Sequence, residues 1–196
     1  MSRRLCALAL LSVLSACGGG SSDYIAERML NDACIIADER PRYMSAMERV
    51  ERRWGVPVAV QMATIYQESK FQGDARTPLR YSLGVIPMGR QSSAYGYAQA
   101  LDGTWDEYKV ETGQRRAKRN DIWDATDFIG WYMTKTEERN GIAKTNASHQ
   151  YLAYHEGHTG YARGSYQKKA WLMRVAEDVG DRAVLYDAQL QTCGGV

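Results

Sequence analysis

The feature that most constrains this chain is a helical spacing of apolar residues that recurs almost from end to end. Apolar side chains fall three and four residues apart in segment after segment, the period that lines one face of an α-helix. The spacing predicts helices over 24–38, ending before Pro41, and over 42–54, stopped by Gly55. A third is expected over 58–68, with Val58, Met62 and Ile65 on one face. Asp102 or Thr104 is placed to cap a helix through Tyr108, and 121–139 reads as a longer helix closed by Asn140 and Gly141. Asn146 is placed to cap another through His155. The last is expected over 168–191, with Leu172, Val175, Val179 and Leu190 as its buried stripe. No run of alternating strand residues appears, and 73–93, which holds Pro78, Pro87 and three glycines, reads as an irregular loop. With 196 residues and no internal repeat, the expectation is one mostly α domain.

The N-terminus stands apart from this pattern. Residues 1–4 are basic and 5–13 form an apolar run too short to span a bilayer, which is the layout of a secretory signal. It ends in Leu14-Ser15-Ala16-Cys17, which resembles the bacterial lipoprotein box. The division expected is therefore a signal peptide over 1–16, a lipidated Cys17 opening a flexible tether over 17–23, and the folded domain over 24–196. An ordinary signal peptide cleaved near Ala16 is the alternative. Gly18 rather than Asp follows the cysteine. By resemblance to Gram-negative lipoproteins, this places the protein on the periplasmic face of the outer membrane, held by lipid alone. Without Arg3 and Arg4 the remaining Lys and Arg equal the 23 Asp and Glu, so no basic excess exists to release counterions from phosphates, and nucleic acid is excluded as a partner.

Export also bears on the cysteines. Cys6 lies in the leader and Cys17 would carry lipid, which leaves Cys34 and Cys193, 159 residues apart. In an oxidising compartment two cysteines suggest one bridge from the first helix to the last, with two buried free thiols as the alternative.

The chemistry starts at Gln67-Glu68-Ser69-Lys70-Phe71, where a carboxylate falls at the end of an apolar helix. The helix C-terminus carries partial negative charge and apolar neighbours disfavour ionisation, so both effects push the Glu68 pKa up. A carboxylic acid that keeps its proton near neutral pH is what glycosidic cleavage requires. Three segments follow in order: Gly96-Tyr97-Ala98-Gln99, the helix with Ala125-Thr126-Asp127-Phe128-Ile129-Gly130-Trp131-Tyr132, and Ala153-Tyr154-His155-Glu156-Gly157. Together they resemble the soluble lytic transglycosylase (SLT) domain, a lysozyme-like family with Glu-Ser-x-Phe, Gly-Leu-Met-Gln and Ala-Tyr-Asn-Ala-Gly motifs in the same order, over about residues 42–166.

Carried across position by position, the resemblance implies that Glu68 is the sole catalytic acid and that Tyr154 reaches back toward it. Gln99 lines the sugar cleft, and Ser69, Tyr97 and Ser93 help to shape it. The implied fold is mostly α and lysozyme-like. The implied reaction cleaves the β-1,4 bond between N-acetylmuramic acid and N-acetylglucosamine in peptidoglycan without water, leaving 1,6-anhydro ends. No metal or organic cofactor is implied. The partner is the glycan strand. A hydrolytic muramidase and a non-catalytic peptidoglycan-binding lipoprotein remain as alternatives.

The sequence departs from the family in two places. Glu68 and Gly96 stand about twice as far apart as is usual, so 77–91 is an insertion, read either as a rim gripping anionic stem peptides through Arg76, Arg80 and Arg90 or as a plain surface loop. In the last motif Asn-Ala becomes His155-Glu156. His155 can hydrogen-bond a sugar amide, and Glu156 offers a second carboxylate able to activate water. His155 and His158 are spaced i, i+3 instead of the i, i+4 of a zincin helix, which argues against a metal site. Arg115, Arg116, Lys118 and Arg119 read as a solvated connection. Trp54, Trp131 and Trp171 read as core.

Overall fold

The structure, a computed structural model, describes residues 27–193; the expected leader 1–16, Cys17 and the tether 17–23 lie outside the described residues. A 3₁₀ turn, Glu27–Asn31, leads into α1, Ala33–Glu39. The single helix expected over 24–38 is interrupted because Asp32 leaves helical geometry and its carboxylate accepts the Cys34 and Ile35 amides, an N-cap that starts a new helix. Helix α2, Pro41–Trp54, opens on proline and closes on Gly55 at φ 71°.

The central element is α3, Val58–Ser69. It has no polar stripe before Tyr66, and nine of its twelve residues are buried, as a helix apolar on all sides must be. Its buried side-chain donors are served locally: the Gln61 amide donates to the carbonyls of Met47 and Val56, both at 2.9 Å, and Thr64 donates to Val60 O at 2.8 Å. Around α3 pack α2, α5 (Ile122–Asn140), α6 (Ala147–Ala162) and α7 (Ala170–Cys193). Helix α4, Asp102–Thr112, lies against α5 and starts after Leu101, one residue ahead of the expected Asp102 cap.

Two glycines let the helices approach. A Cβ on Gly130 would stand 2.5 Å from the Trp54 ring and 2.7 Å from Val50, so the α2–α5 crossing admits only glycine there. On Gly180 it would meet Ser148 Oγ at 2.1 Å where α7 crosses α6. The same α2–α4–α5 region hides a fully buried carboxylate. Asp127 accepts from Arg53 (2.9 Å), Trp54 Nε1 (3.0 Å), Tyr108 OH (2.9 Å) and Gln114 Nε2 (3.3 Å), which satisfies a charge that burial alone would make untenable.

Cys34 and Cys193 form a disulfide with Cα atoms 5.8 Å apart. It staples α1 to the end of α7, beside the Gln189 side chain, which accepts from Ala33 N at 2.8 Å and donates to Asn31 O at 3.1 Å.

Three expectations need correction. The segment 73–93 is not wholly irregular: β1, Leu79–Ser82, pairs antiparallel with β2, Ile86–Arg90, in an exposed hairpin whose turn is made by Leu83 and Gly84 at φ 51° and 75°. Helix α6 continues past His155 to Ala162, with a break at Gly157 (φ 74°, ψ 156°) that only glycine adopts freely. Trp131 is buried and Trp54 partly so, but Trp171 stands half exposed in the first turn of α7, outside the stripe of Leu172 and Val179 that faces the core. No helix among the described residues is long and apolar enough to cross a membrane.

Candidate active site

Glu68 stands in the last turn of α3, and the residues after it hold it there. Ser69 is buried and returns its hydroxyl to Ile65 O at 3.2 Å. Lys70 and Phe71 then take left-handed backbone conformations, φ 51° and 59°, with Lys70 N bonded to Tyr66 O. Two consecutive non-glycine residues in that region cost about 1–3 kcal/mol each. Phe71 offsets this by burying its ring parallel to Tyr43, centroids 5.9 Å apart. The Glu-Ser-x-Phe pattern is thus a helix stop: the serine closes the last turn, the phenylalanine anchors the exit, and the glutamate is left at the rim of the core.

The environment of that carboxyl is apolar. Burial pushes the Glu68 carboxyl up to about 7, with a hydrogen bond from Tyr151 opposing the shift. Tyr151, itself buried on α6, also bonds the Gln67 side chain. Tyr154 lies one turn further along the same helix face, its ring edge-on to Tyr132 at 5.0 Å. Burial and the nearby Glu68 charge raise its phenol well above the ordinary value. Its proton, however, goes to Ala98 O at 2.6 Å. The tyrosine that touches the acid is Tyr151, which sequence reasoning passed over; the i, i+3 spacing of two tyrosines on one helix was the available signal.

Ala98 belongs to the second motif, and its fold is set by Gly96. At φ 81° a Cβ there would sit 2.0 Å from Arg119 O, so the turn can press against the 119 backbone only as glycine. Gly96 N bonds Ala75 O, and Tyr97 N bonds Arg119 O. Gln99, at φ 46°, donates its amide to Ala75 O (2.9 Å) and Gly96 O (2.8 Å) and so locks this loop. Tyr97 is buried over Gly73, its hydroxyl 3.0 Å from that of Tyr43, and offers no open face for a sugar. Ser93 accepts from Asp102 N at 3.1 Å at the start of α4. Arg119 is a clamp rather than a solvated residue: it bonds Ser93 O, Ala100 O and Asp102.

Glu68, Tyr151, Tyr154 and the 96–99 segment therefore converge, with Ser69 and Tyr97 supporting them from inside. His155 and Glu156 belong to a different cluster. Burial by itself would raise the Glu156 carboxyl, but bonds from Lys169 (2.6 Å), Ser165 and His155 (3.1 Å) hold it down at about 2. It is a fixed anion joining α6 to the 3₁₀ turn Ser165–Lys168. His155 is exposed, edge-on to Trp171 at 5.3 Å. His158 stacks on Tyr132 and bonds Thr136, while His149 bonds Tyr161 at 2.6 Å, so each imidazole is engaged separately. Among the described residues no group of three or more His, Cys, Asp or Glu is placed to hold a metal ion.

Two carboxyls in opposed environments, one able to keep its proton near neutrality and one permanently charged, are an arrangement suited to single-acid chemistry. Comparison with known proteins bears on what that chemistry acts on. A family model described as the transglycosylase SLT domain matches residues 5–193. No curated protein and no solved structure matches the chain.

Proposed function

The chain belongs to the transglycosylase SLT domain family, whose fold is lysozyme-like and whose activity is directed at peptidoglycan, and from that premise we propose that it is a lytic transglycosylase with Glu68 as its one acid and base. The observation that carries the reading is the apolar seat of the Glu68 carboxyl, which keeps it protonated up to about pH 7 while Tyr151 fixes its orientation. In the first step Glu68 gives its proton to the glycosidic oxygen between N-acetylmuramic acid and N-acetylglucosamine, and the C1–O bond breaks. The positive charge developing at C1 is met by the muramic acid's own acetamido oxygen. In the second step the Glu68 carboxylate takes the proton of the C6 hydroxyl, whose oxygen attacks C1 and closes the 1,6-anhydro ring. No water is consumed, and Glu68 ends protonated. Tyr154 braces the 96–99 wall through Ala98, and Gln99 keeps that wall folded.

Glu156 is tied to Lys169, Ser165 and His155 and its basicity is lowered, not raised, which favours the intramolecular attack over hydrolysis. Digestion of purified sacculi tests both points. Glu68→Gln is expected to lower release of soluble muropeptides by at least about 10⁴, since one group serves both steps and general acid–base help is typically worth 10²–10⁴, while sacculus binding persists. Glu156→Gln is expected to retain most activity. Wild-type products should be lighter by one water than reducing-end muropeptides in mass spectra. Full activity in Glu68→Gln would overturn the site, and reducing-end products lost in Glu156→Gln would make the enzyme a hydrolase. Binding with no release at all would leave a glycan-holding protein.

A further inference from the structure

The hairpin β1–β2 makes none of the contacts described around Glu68, and its surface is unusual for an element exposed to water. Leu83 and Val85 at its turn are 88% and 76% exposed, and Tyr81, Ile86 and Met88 are also more than half exposed. The pairing sets Tyr81 opposite Pro87 and Ser82 opposite Ile86. Tyr81 and Ile86 therefore lie on opposite faces, because neighbouring pairs alternate. A hairpin meant to dock on a groove or a sheet needs one apolar face; this one is apolar on both and at the tip.

Its charge is equally one-sided. From Ala75 through Leu101 the chain contains no Asp or Glu but carries Arg76, Arg80 and Arg90. None of these guanidiniums is in an ion pair among the described residues: Arg76 sits over the Tyr95 ring at 4.0 Å, and Arg90 bonds Thr77 O at 2.6 Å at the hairpin base. Arginines thus flank the base of an arm whose end is apolar all round.

We propose that this arm binds an anionic phospholipid surface, its tip seated among the headgroups and upper acyl chains and its arginines on the lipid phosphates. Only an isotropic apolar medium satisfies both faces at once, and a fringe of cations at the depth of the headgroups matches negative lipid. Insertion is shallow, about 5–10 Å, because deeper entry would strip water from the unpaired strand edges. A second copy of the chain fits less well. Pro87 offers no amide and Gly89 bends β2 at φ 86°, so that edge is blunted, and pairing two hairpins would bring like charges together. Glycan strands would engage the arginines but leave Leu83, Val85 and Ile86 in water. The hairpin is spliced between the Glu68 turn and the 96–99 wall, whose base is closed by Thr77 bonding Ser92 O and by Ala75 O accepting from Gly96 and Gln99. Seating the tip would therefore fix how the cleft faces the membrane, independently of any lipid on Cys17.

Flotation with vesicles of the mature chain, beginning at position 17 and carrying Cys17→Ser, tests the proposal, because neither the apolar leader nor an acyl anchor then contributes. Binding is expected to vesicles of phosphatidylethanolamine and phosphatidylglycerol, and much less to pure phosphatidylcholine. The added pair Leu83→Asp and Val85→Asp should weaken it at least about tenfold. Arg80→Glu, or ~0.5 M salt, should weaken it severalfold, and Leu83→Trp should keep it. Unchanged thermal midpoints exclude misfolding, as the tip side chains support nothing. Equal flotation of the Asp pair and its parent overturns the proposal. So does a concentration-dependent dimer, or retention on sacculi, that the Asp pair abolishes without any vesicle binding. Sacculus cleavage is read separately, so failure here leaves the catalytic reading standing and the reverse also holds.

Discussion

At the scale of single residues, Glu68 shows how a site draws on the stability of its fold. Its carboxyl pKa is raised from 4.5 to about 7 by burial, so the native state holds this proton more tightly than the unfolded chain does. Stability from this group is therefore full below about pH 4.5 and falls as pH rises toward 7 and beyond. Glu68→Gln should be near neutral in thermal unfolding at pH 4 and stabilising at pH 8, by up to about 2 kcal/mol, less than the shift converts to because the residue is only partly buried. Equal melting of the two proteins at pH 8 would mean that the carboxyl is solvated. Tyr151 works the other way, since its hydrogen bond lowers the Glu68 pKa. Tyr151→Phe should move the alkaline limb of the cleavage profile to higher pH. Loss of a positioned bond worth about 1–2 kcal/mol should also slow cleavage roughly five- to thirtyfold. A fall in rate with an unmoved limb would assign Tyr151 a packing role only.

At the scale of elements, α3 carries the acid, and its neighbours keep it straight and dry. The helices that matter most for this are α2 and α5, which are locked by Gly130 and by the buried Asp127 with its four donors. Asp127→Ala would leave the half-exposed Arg53 guanidinium, the buried Tyr108 hydroxyl and the part-buried Trp54 and Gln114 donors without this acceptor. Because the Arg53 side chain is 44% exposed and can turn to water, the loss should fall short of a fully buried pair's, and a urea unfolding series should show about 1–3 kcal/mol, mostly from the stranded Tyr108 hydroxyl and its neighbours. Spacing alone could not reveal this network, since Asp127 falls on an apolar helical face where a lone carboxylate would be forbidden, and its partners come from α2, α4 and the connection at Gln114. The same limit explains Trp171, which has helical spacing but meets the exposed His155 ring instead of the core and stays half exposed.

At the scale of the whole molecule, one covalent tie and one expected anchor bracket the domain. The Cys34–Cys193 bridge closes a loop of 159 residues, which by chain entropy alone is worth about 4–5 kcal/mol. Reduction, or Cys193→Ser, should lower the urea midpoint and, because the unfolded chain is freed to expand, steepen the slope. An unchanged midpoint would show that noncovalent contacts such as those of Gln189 hold α1 against α7 without the bridge. We propose that the exported chain is anchored through Cys17: metabolic labelling with a fatty-acid analogue should mark the wild type, and Cys17→Ser should lose the label and leave the membrane fraction. Equal labelling of both would remove Cys17 as the acceptor.

What the sequence determined by itself was whatever rests on local chemistry. Helices followed from a 3.6-residue period, their ends from Gly55, Gly141 and the Asn146 cap, and the placement of Glu68 from a polar residue closing an apolar run. Such signals are carried by residues a few positions apart, so a linear reading holds them. Only the tertiary structure decided which neighbours a side chain meets. It gave the acid to Tyr151 and Ala98 to Tyr154, turned Ser69 and Tyr97 inward, and bound Glu156 to Lys169 and Ser165. The hairpin shows the same division: Leu83, Val85 and Ile86 look like core in one dimension, and only the folded chain shows that no part of the described core reaches them. The physical reason is that burial and hydrogen-bond partnership are set by segments far apart in the chain, and those determine whether a carboxyl holds its proton.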